Sequence, residues 1–102
     1  SENLVELLEK RLSASSSEPL ILYSLNEIEN AILLPWKPGK PHPEFLVLTD
    51  TYLSGSHYRN RVQKLLQIAS NKNVKTRIVN SDTLAGKRVL QLGGLVCVMI
   101  TQ

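Results

Sequence analysis

Near its end the sequence reads "VLQLGGLVCVMI", residues 89–100. Two adjacent glycines, Gly93 and Gly94, separate a helical-looking segment from six consecutive apolar residues. A strand that is apolar at every position has no face to give to water. It belongs inside a sheet that is covered on both sides. The helix before it must stop and turn within two residues, which calls for backbone at positive φ, and glycine adopts that at no steric cost. Gly93 and Gly94 are therefore expected to form a pivot of the fold. A ligand-binding loop is the alternative reading.

The rest of the chain supplies what such a sheet requires. Residues 4–12 set Leu4, Leu8 and Leu12 at four-residue intervals, with Glu6, Glu9, Lys10 and Arg11 on the other face, the pattern of an amphipathic helix. The serines and proline of 13–19 break it. Residues 20–23, "LILY", read as a short buried strand. Ser24 and Glu27 have the spacing of a capping box. They open a helix whose Leu25, Ile28, Ala31 and Ile32 share one face, and Pro35 ends it.

Residues 35–43, "PWKPGKPHP", hold four prolines and a glycine. That composition predicts a stiff surface loop, neither helix nor central strand. "FLVLTD", residues 45–50, predicts a strand, and a polar turn is expected over 51–57. Tyr58, Val62, Leu65, Leu66 and Ala69 then mark a core-facing helix stripe, with Arg59, Arg61, Gln63, Lys64 and Gln67 outside it.

Residues 73–79 alternate Val74, Thr76 and Ile78 against Lys75, Arg77 and Val79, a strand with one wetter face. Asp82 is expected to cap a last helix through Leu84, Arg88 and Leu92. The order α-β-α-β-α-β-α-β predicts an α/β fold: a three-layer α-β-α sandwich around a mainly parallel four-stranded sheet, in one domain over residues 1–102.

Composition narrows the chemistry. The chain has 102 residues, 42% of them apolar, 21% charged and a net charge of +3. It can bury a core without staples, and its mild basic excess permits contact with an acidic partner, RNA included. No window approaches the roughly 18 apolar residues of a membrane span, and a secretory signal is not expected. The lone cysteine, Cys97, lies between Val96 and Val98 and reads as a buried thiol rather than a reactive one.

His42 and His57 stand far apart, and one cysteine builds no metal cluster. There is no glycine-rich phosphate loop and no nucleophile elbow. Asp50 sits at the C-terminal end of a strand, where open α/β sheets place ligands. An aspartate there either acts on a ligand or caps the next turn. Asp50 and Asp82 are the only centre an enzyme reading can offer, and an enzyme is not expected.

Taken together, these segments resemble the C-terminal domain shared by Pelota and the class-1 release factors of eukaryotes and archaea. The resemblance is carried by "FLVLTD" followed by "TY", by the arginine-bearing helix, and by "VKTRIVNSDTLAGKRVLQLGGLVCVMI". Ser81, Ala85, Gly86, Leu90, Leu92, Gly93, Gly94 and Leu95 match that family's final turn, helix end and glycine pair. Tyr23, Ser24, Ile28 and Ala31 match an earlier motif. The short spacing from Asp50 to Gly93 looks closer to Pelota.

The resemblance implies a cytoplasmic, non-catalytic interaction domain of a translation and ribosome-rescue factor active in mRNA surveillance. It would need no cofactor. Its partners would be the ribosome, a translational GTPase and an ABC-type recycling ATPase.

Where the family has a short link, this chain has the proline-rich loop. Trp36, Lys37 and Lys40 in that loop, with Arg59, Arg61 and Lys64 on the later helix, are the candidate partner-binding residues. Trp36 has a competing reading as a lid folded over Ile32 or Phe45. The second functional reading is RNA binding. The fold also resembles that of ribosomal proteins that bind kink-turn RNA, and Asn26 and Glu27 occupy the place of that group's Asn-Glu pair.

Overall fold

The computed structural model describes residues 4–14, 19–55 and 57–100. Most of the serine-rich break expected over 13–19 lies outside them. The elements are α1 (Leu4–Ser13), β1 (Ile21–Leu22), α2 (Leu25–Leu33), β2 (His42–Thr49), α3 (Asp50–Gly55), α4 (Arg59–Asn71), β3 (Lys75–Val79), α5 (Leu84–Gln91) and β4 (Leu95–Ile100). The four strands form one sheet in the order β1-β4-β2-β3.

Why β4 is apolar throughout is visible in its alternation. Leu95, Cys97 and Met99 join Leu46 and Leu48 of β2 against Ile28 and Ile32 of α2 and Val62, Leu65 and Ala69 of α4. Val96 and Val98 join Val47 on the opposite face, against Leu8 of α1 and Val89 of α5. Each successive side chain enters a different core, and the three layers follow. A methylene deleted from either core costs its transfer energy plus that of the void it leaves.

The sheet is mixed, not mainly parallel as expected. β2 pairs parallel with β3, but β4 runs antiparallel to both β1 and β2. The cause is α5. A crossover helix restores strand direction only if it travels back along the sheet. With eight residues α5 is about 12 Å long. It starts just after the C-terminal end of β3 and finishes at the C-terminal end of β2, where the Thr49 N–H donates to Gly94 O at 3.1 Å. The chain re-enters the sheet from the end it left, so β4 must run backwards.

Several local expectations need correcting. Ser24 takes the N-cap position of α2 in extended geometry, but its side chain makes no capping bond, so the Ser24–Glu27 box does not form. His42 and Pro43 lie in β2, inside a strand that is central over most of its length. Proline is tolerated because the pairing with β3 starts only at Phe45, leaving that side open, and the register shifts between Pro43 and Phe45. Residues 50–55 are a short helix rather than part of a polar turn. The last helix is capped by Thr83, not Asp82: the Thr83 Oγ1 accepts the Gly86 N–H at 3.0 Å. Leu84 is 80% exposed, and Gly86 and Val89 face inward instead.

In β3, Thr76 and Ile78 do lie on the α4 face, opposite Leu46 and Leu48. Both are exposed on this edge strand. Lys75 and Arg77 put charge along the strand, which discourages pairing with a second sheet.

The glycines are explained by geometry. Gly93 and Gly94 have φ of 114° and 96°. A Cβ on Gly94 would lie 2.6 Å from the Tyr52 ring, and one on Gly86 would lie 2.0 Å from the Asn80 carbonyl oxygen. The first turn of α5 therefore sits directly on the backbone that leaves β3.

Candidate partner-binding face

α2 and α4 lie side by side on one face of the sheet, and most of the expected binding residues are found around them. The two helices are tied across their outer edge. Arg61 donates from Nε to Glu29 Oε2 at 3.2 Å, from Nη2 to Glu29 Oε1, and from Nη2 to Asn26 Oδ1 at 2.8 Å. Its guanidinium also lies 5.1 Å from the centre of the Tyr58 ring. The Arg61 hydrogen bonds hold the Glu29 carboxyl below its ordinary pKa and raise that of Arg61. Both groups are solvated, so the pair orients the helices more than it stabilises them.

Arg59 and Lys64 are exposed on α4, and Lys64 lines a groove of about 380 Å³ between the helices. Glu29, Leu33, Arg61, Leu65 and Ile68 complete that groove. Of the two residues proposed for RNA, Asn26 has its side-chain oxygen engaged by Arg61 and Glu27 is exposed.

Trp36 is 38% exposed and is held from three directions. Its Nε1 donates to the Ala31 carbonyl at 2.9 Å, its ring stacks on His42 at 5.3 Å, and the Lys72 ammonium lies 5.5 Å from its centre. Lys72 also donates to the Ile32 and Leu33 carbonyls at the end of α2, where cations are favoured. The tryptophan therefore folds back on the last turn of α2, against Ala31 rather than on Ile32 or Phe45. A cleft of about 270 Å³ beside it is lined by Leu34, Lys37, Lys40 and Pro41, among others. The backbone turns there, with Lys40 N–H donating to the Lys37 carbonyl and Gly39 at φ 78°.

Sequence reading missed Lys72 and Glu29. Glu29 meets Arg61 across 32 positions, and Lys72 reaches α2 across 40. No local spacing reveals such pairs.

The other candidates have structural employment. Asp50 Oδ1 accepts the Ser81 N–H at 3.1 Å and the Thr51 N–H at 2.8 Å, which clips the end of β2 to the turn after β3. Chiefly because of the Ser81 contact, its pKa lies below the ordinary carboxylate value. Asp82 is exposed, and its N–H bonds Asn80 Oδ1 at 2.8 Å. Cys97 is buried, and burial pushes its thiol up to about 12. Among the described residues no group of histidine, cysteine and acidic side chains is placed to hold a metal. No helix among them is long and apolar enough to cross a membrane.

No family model matches the chain. Two curated relatives do, the Pelota homologues of Pyrococcus horikoshii and Pyrococcus furiosus, each 25% identical over 95% and 93% of this chain. Ribosome-bound archaeal Pelota, described together with ABCE1, superimposes with a TM-score of 0.74 at 27% identity over 96% of the chain. The chain resembles the C-terminal part of Pelota.

It spans about a quarter of the length of the curated Pelota relatives it matches, 25% in each. The same Pelota-like fold recurs in Saccharomyces cerevisiae Dom34 and Archaeoglobus fulgidus Pelota, with TM-scores of 0.74 and 0.72 at 20% identity. These two likenesses concern the fold alone. Dom34 is described as a translation termination-like factor involved in RNA quality control pathways and interacting with Hbs1.

Proposed function

We propose that this chain is a non-catalytic interaction domain of a Pelota-like factor in translation and ribosome rescue. The observation that carries the reading is the match to Pelota over 95% of the chain, joined to a TM-score of 0.74. Its partners, on this reading, are a translational GTPase, an ABC-type recycling ATPase and the ribosome. Dom34 interacting with Hbs1, and archaeal Pelota described with ABCE1 on the ribosome, support that set.

The domain acts by holding a shape. Two of its acids serve the fold: Asp50 clips the end of β2 to the turn after β3, and Glu29 positions Arg61. The exposed basic residues Arg59, Lys64, Lys37 and Lys40 and the half-covered Trp36 form the face offered to partners. The place of action is the cytoplasm, with the ribosome. Direct RNA recognition through Asn26 is disfavoured, because its side-chain oxygen is already committed to Arg61.

Sedimentation tests the reading. The full gene product that contains this chain should co-sediment with stalled ribosomes together with its organism's translational GTPase. Deleting residues 1–102 should remove the GTPase from that complex. A GTPase that stays bound after the deletion would refute the assignment.

A further inference from the structure

The groove between α2 and α4 has a chemistry that narrows what it can hold. On α4, Arg61, Lys64, Leu65 and Ile68 fall at i, i+3, i+4 and i+7, a single stripe about 10 Å long. From α2 come Glu29 and Leu33, one turn apart. Leu33 is 50% exposed and the adjoining Leu34 58%, large apolar side chains left open at the end of a well-packed helix.

The charge on the α4 side of the groove is basic. From residue 51 to residue 81 the sequence contains no aspartate or glutamate, and α4 with the residue after it carries Arg59, Arg61, Lys64 and Lys72. Residues 30–43 likewise contain none and carry Lys37 and Lys40. The acid in the groove, Glu29, is already paired with Arg61.

We infer that this groove docks an acidic amphipathic helix of a protein partner, its apolar stripe on Leu33, Leu65 and Ile68 and its carboxylates toward Lys64. The inference deepens the interaction-domain reading and rests on it. Helix-in-groove recognition lays the apolar anchors of an amphipathic helix into an apolar groove, and the apolar residues that line this one are Leu33, Ile68 and the buried Leu65. Complementary charge on the walls sets orientation and excludes basic helices. Nucleic acid fits less well. Exposed leucines offer nothing to phosphate, and the nearby rings are engaged: Tyr58 lies against the Arg61 guanidinium, and Trp36 stacks on His42 and faces Lys72.

The test is an NMR titration of the 102-residue chain with a synthetic acidic helix of about 14 residues, glutamates with leucines at i, i+3, i+4 and i+7. Three controls accompany it: the same peptide with leucines changed to alanine, the same peptide with glutamates changed to lysine, and a uridine oligomer. Amide shifts are expected along 29–34 and 61–68 with the acidic leucine peptide. Lys64→Glu should raise its Kd at least tenfold, and Leu33→Glu similarly. Lys87→Glu, on exposed α5 surface, should change it less than twofold.

Shifts scattered over the surface, equal binding of the alanine peptide, or tighter binding of the uridine oligomer would each overturn the inference. The two readings can fail separately. A chain that binds its GTPase undisturbed by Lys64→Glu and ignores the peptide refutes the groove alone. A chain that takes the peptide in the groove but binds no GTPase refutes the Pelota-like assignment.

Discussion

The two ends of the sheet are built on different principles. At the end formed by Gly86, Gly93 and Gly94, close backbone packing and positive φ call for glycine. A Cβ on Gly86 would strike the Asn80 carbonyl, one on Gly94 the Tyr52 ring, and Gly93 and Gly94 both sit at positive φ. At the other end, the loop of Pro35, Trp36, Pro38 and Pro41 is held by side-chain contacts at the surface, with Trp36 still 38% exposed. Both ends are written in glycine and proline. Only the first is demanded by the fold, and the second has room for a partner.

The contrast can be broken by substitution, and the largest effect should come at Gly86. A Cβ there meets the Asn80 carbonyl oxygen at 2.0 Å, and backbone cannot swing away as a side chain can. Gly86→Ala should cost about 3 kcal/mol, read as a denaturation midpoint lowered at unchanged slope. A loss below about 1 kcal/mol would show that the α5 contact is loose.

Gly94→Val should come second. It puts a β-branched residue at φ 96° and against Tyr52, whose ring can yield. About 1–3 kcal/mol is expected. A native melting temperature with lost partner binding would make this turn a site instead of a pivot.

Trp36→Ala tests the open end. It removes one hydrogen bond to Ala31, worth about 1 kcal/mol, and the Lys72 contact, worth about 0.5–1 kcal/mol at an exposed site. The domain should stay folded and melt lower by about 4–8 °C per kcal/mol lost. Calorimetry checks this. Unfolding at room temperature would mean that the loop is as demanding as the glycine end.

The smallest effect should come from Asp50, at the end of β2 near the glycine turn. Its pKa is depressed, so its contribution is complete above the pKa of the unfolded state. It fades as pH falls through the lower, folded value. Thermal melts of the native chain and of Asp50→Asn across acidic pH should therefore converge at the low end and separate toward neutrality. Curves parallel at every pH would mean that the Ser81 contact does not bear on stability.

How much was legible in the sequence depends on range. The continuous apolar run in β4 implied cover on both faces, and Leu8, Ile28, Val62, Leu65 and Ala69 were readable from helical spacing. The direction of β4 was not readable. It follows from where α5 ends, and a helix of eight residues looks the same whether it travels back along the sheet or stops at the end where β2 finishes. The Thr83 cap went to Asp82 because both residues suit the position, and only the contact with Gly86 decides between them. The face around α2 and α4 was half visible. Its lysines and arginines stand out by composition, but the Arg61–Glu29 tie and the Lys72 cover over Trp36 join residues far apart in the chain.

The central claim is that this chain docks a translational GTPase as a Pelota-like domain. Fluorescence anisotropy of the labelled 102-residue chain, titrated with the purified translational GTPase of its own organism, measures that directly. The account predicts a saturable one-to-one complex with a Kd of about 10 μM or tighter, equivalent to roughly 7 kcal/mol. Folded chain that shows no saturation up to about 1 mM, a binding energy under roughly 4 kcal/mol, would contradict it.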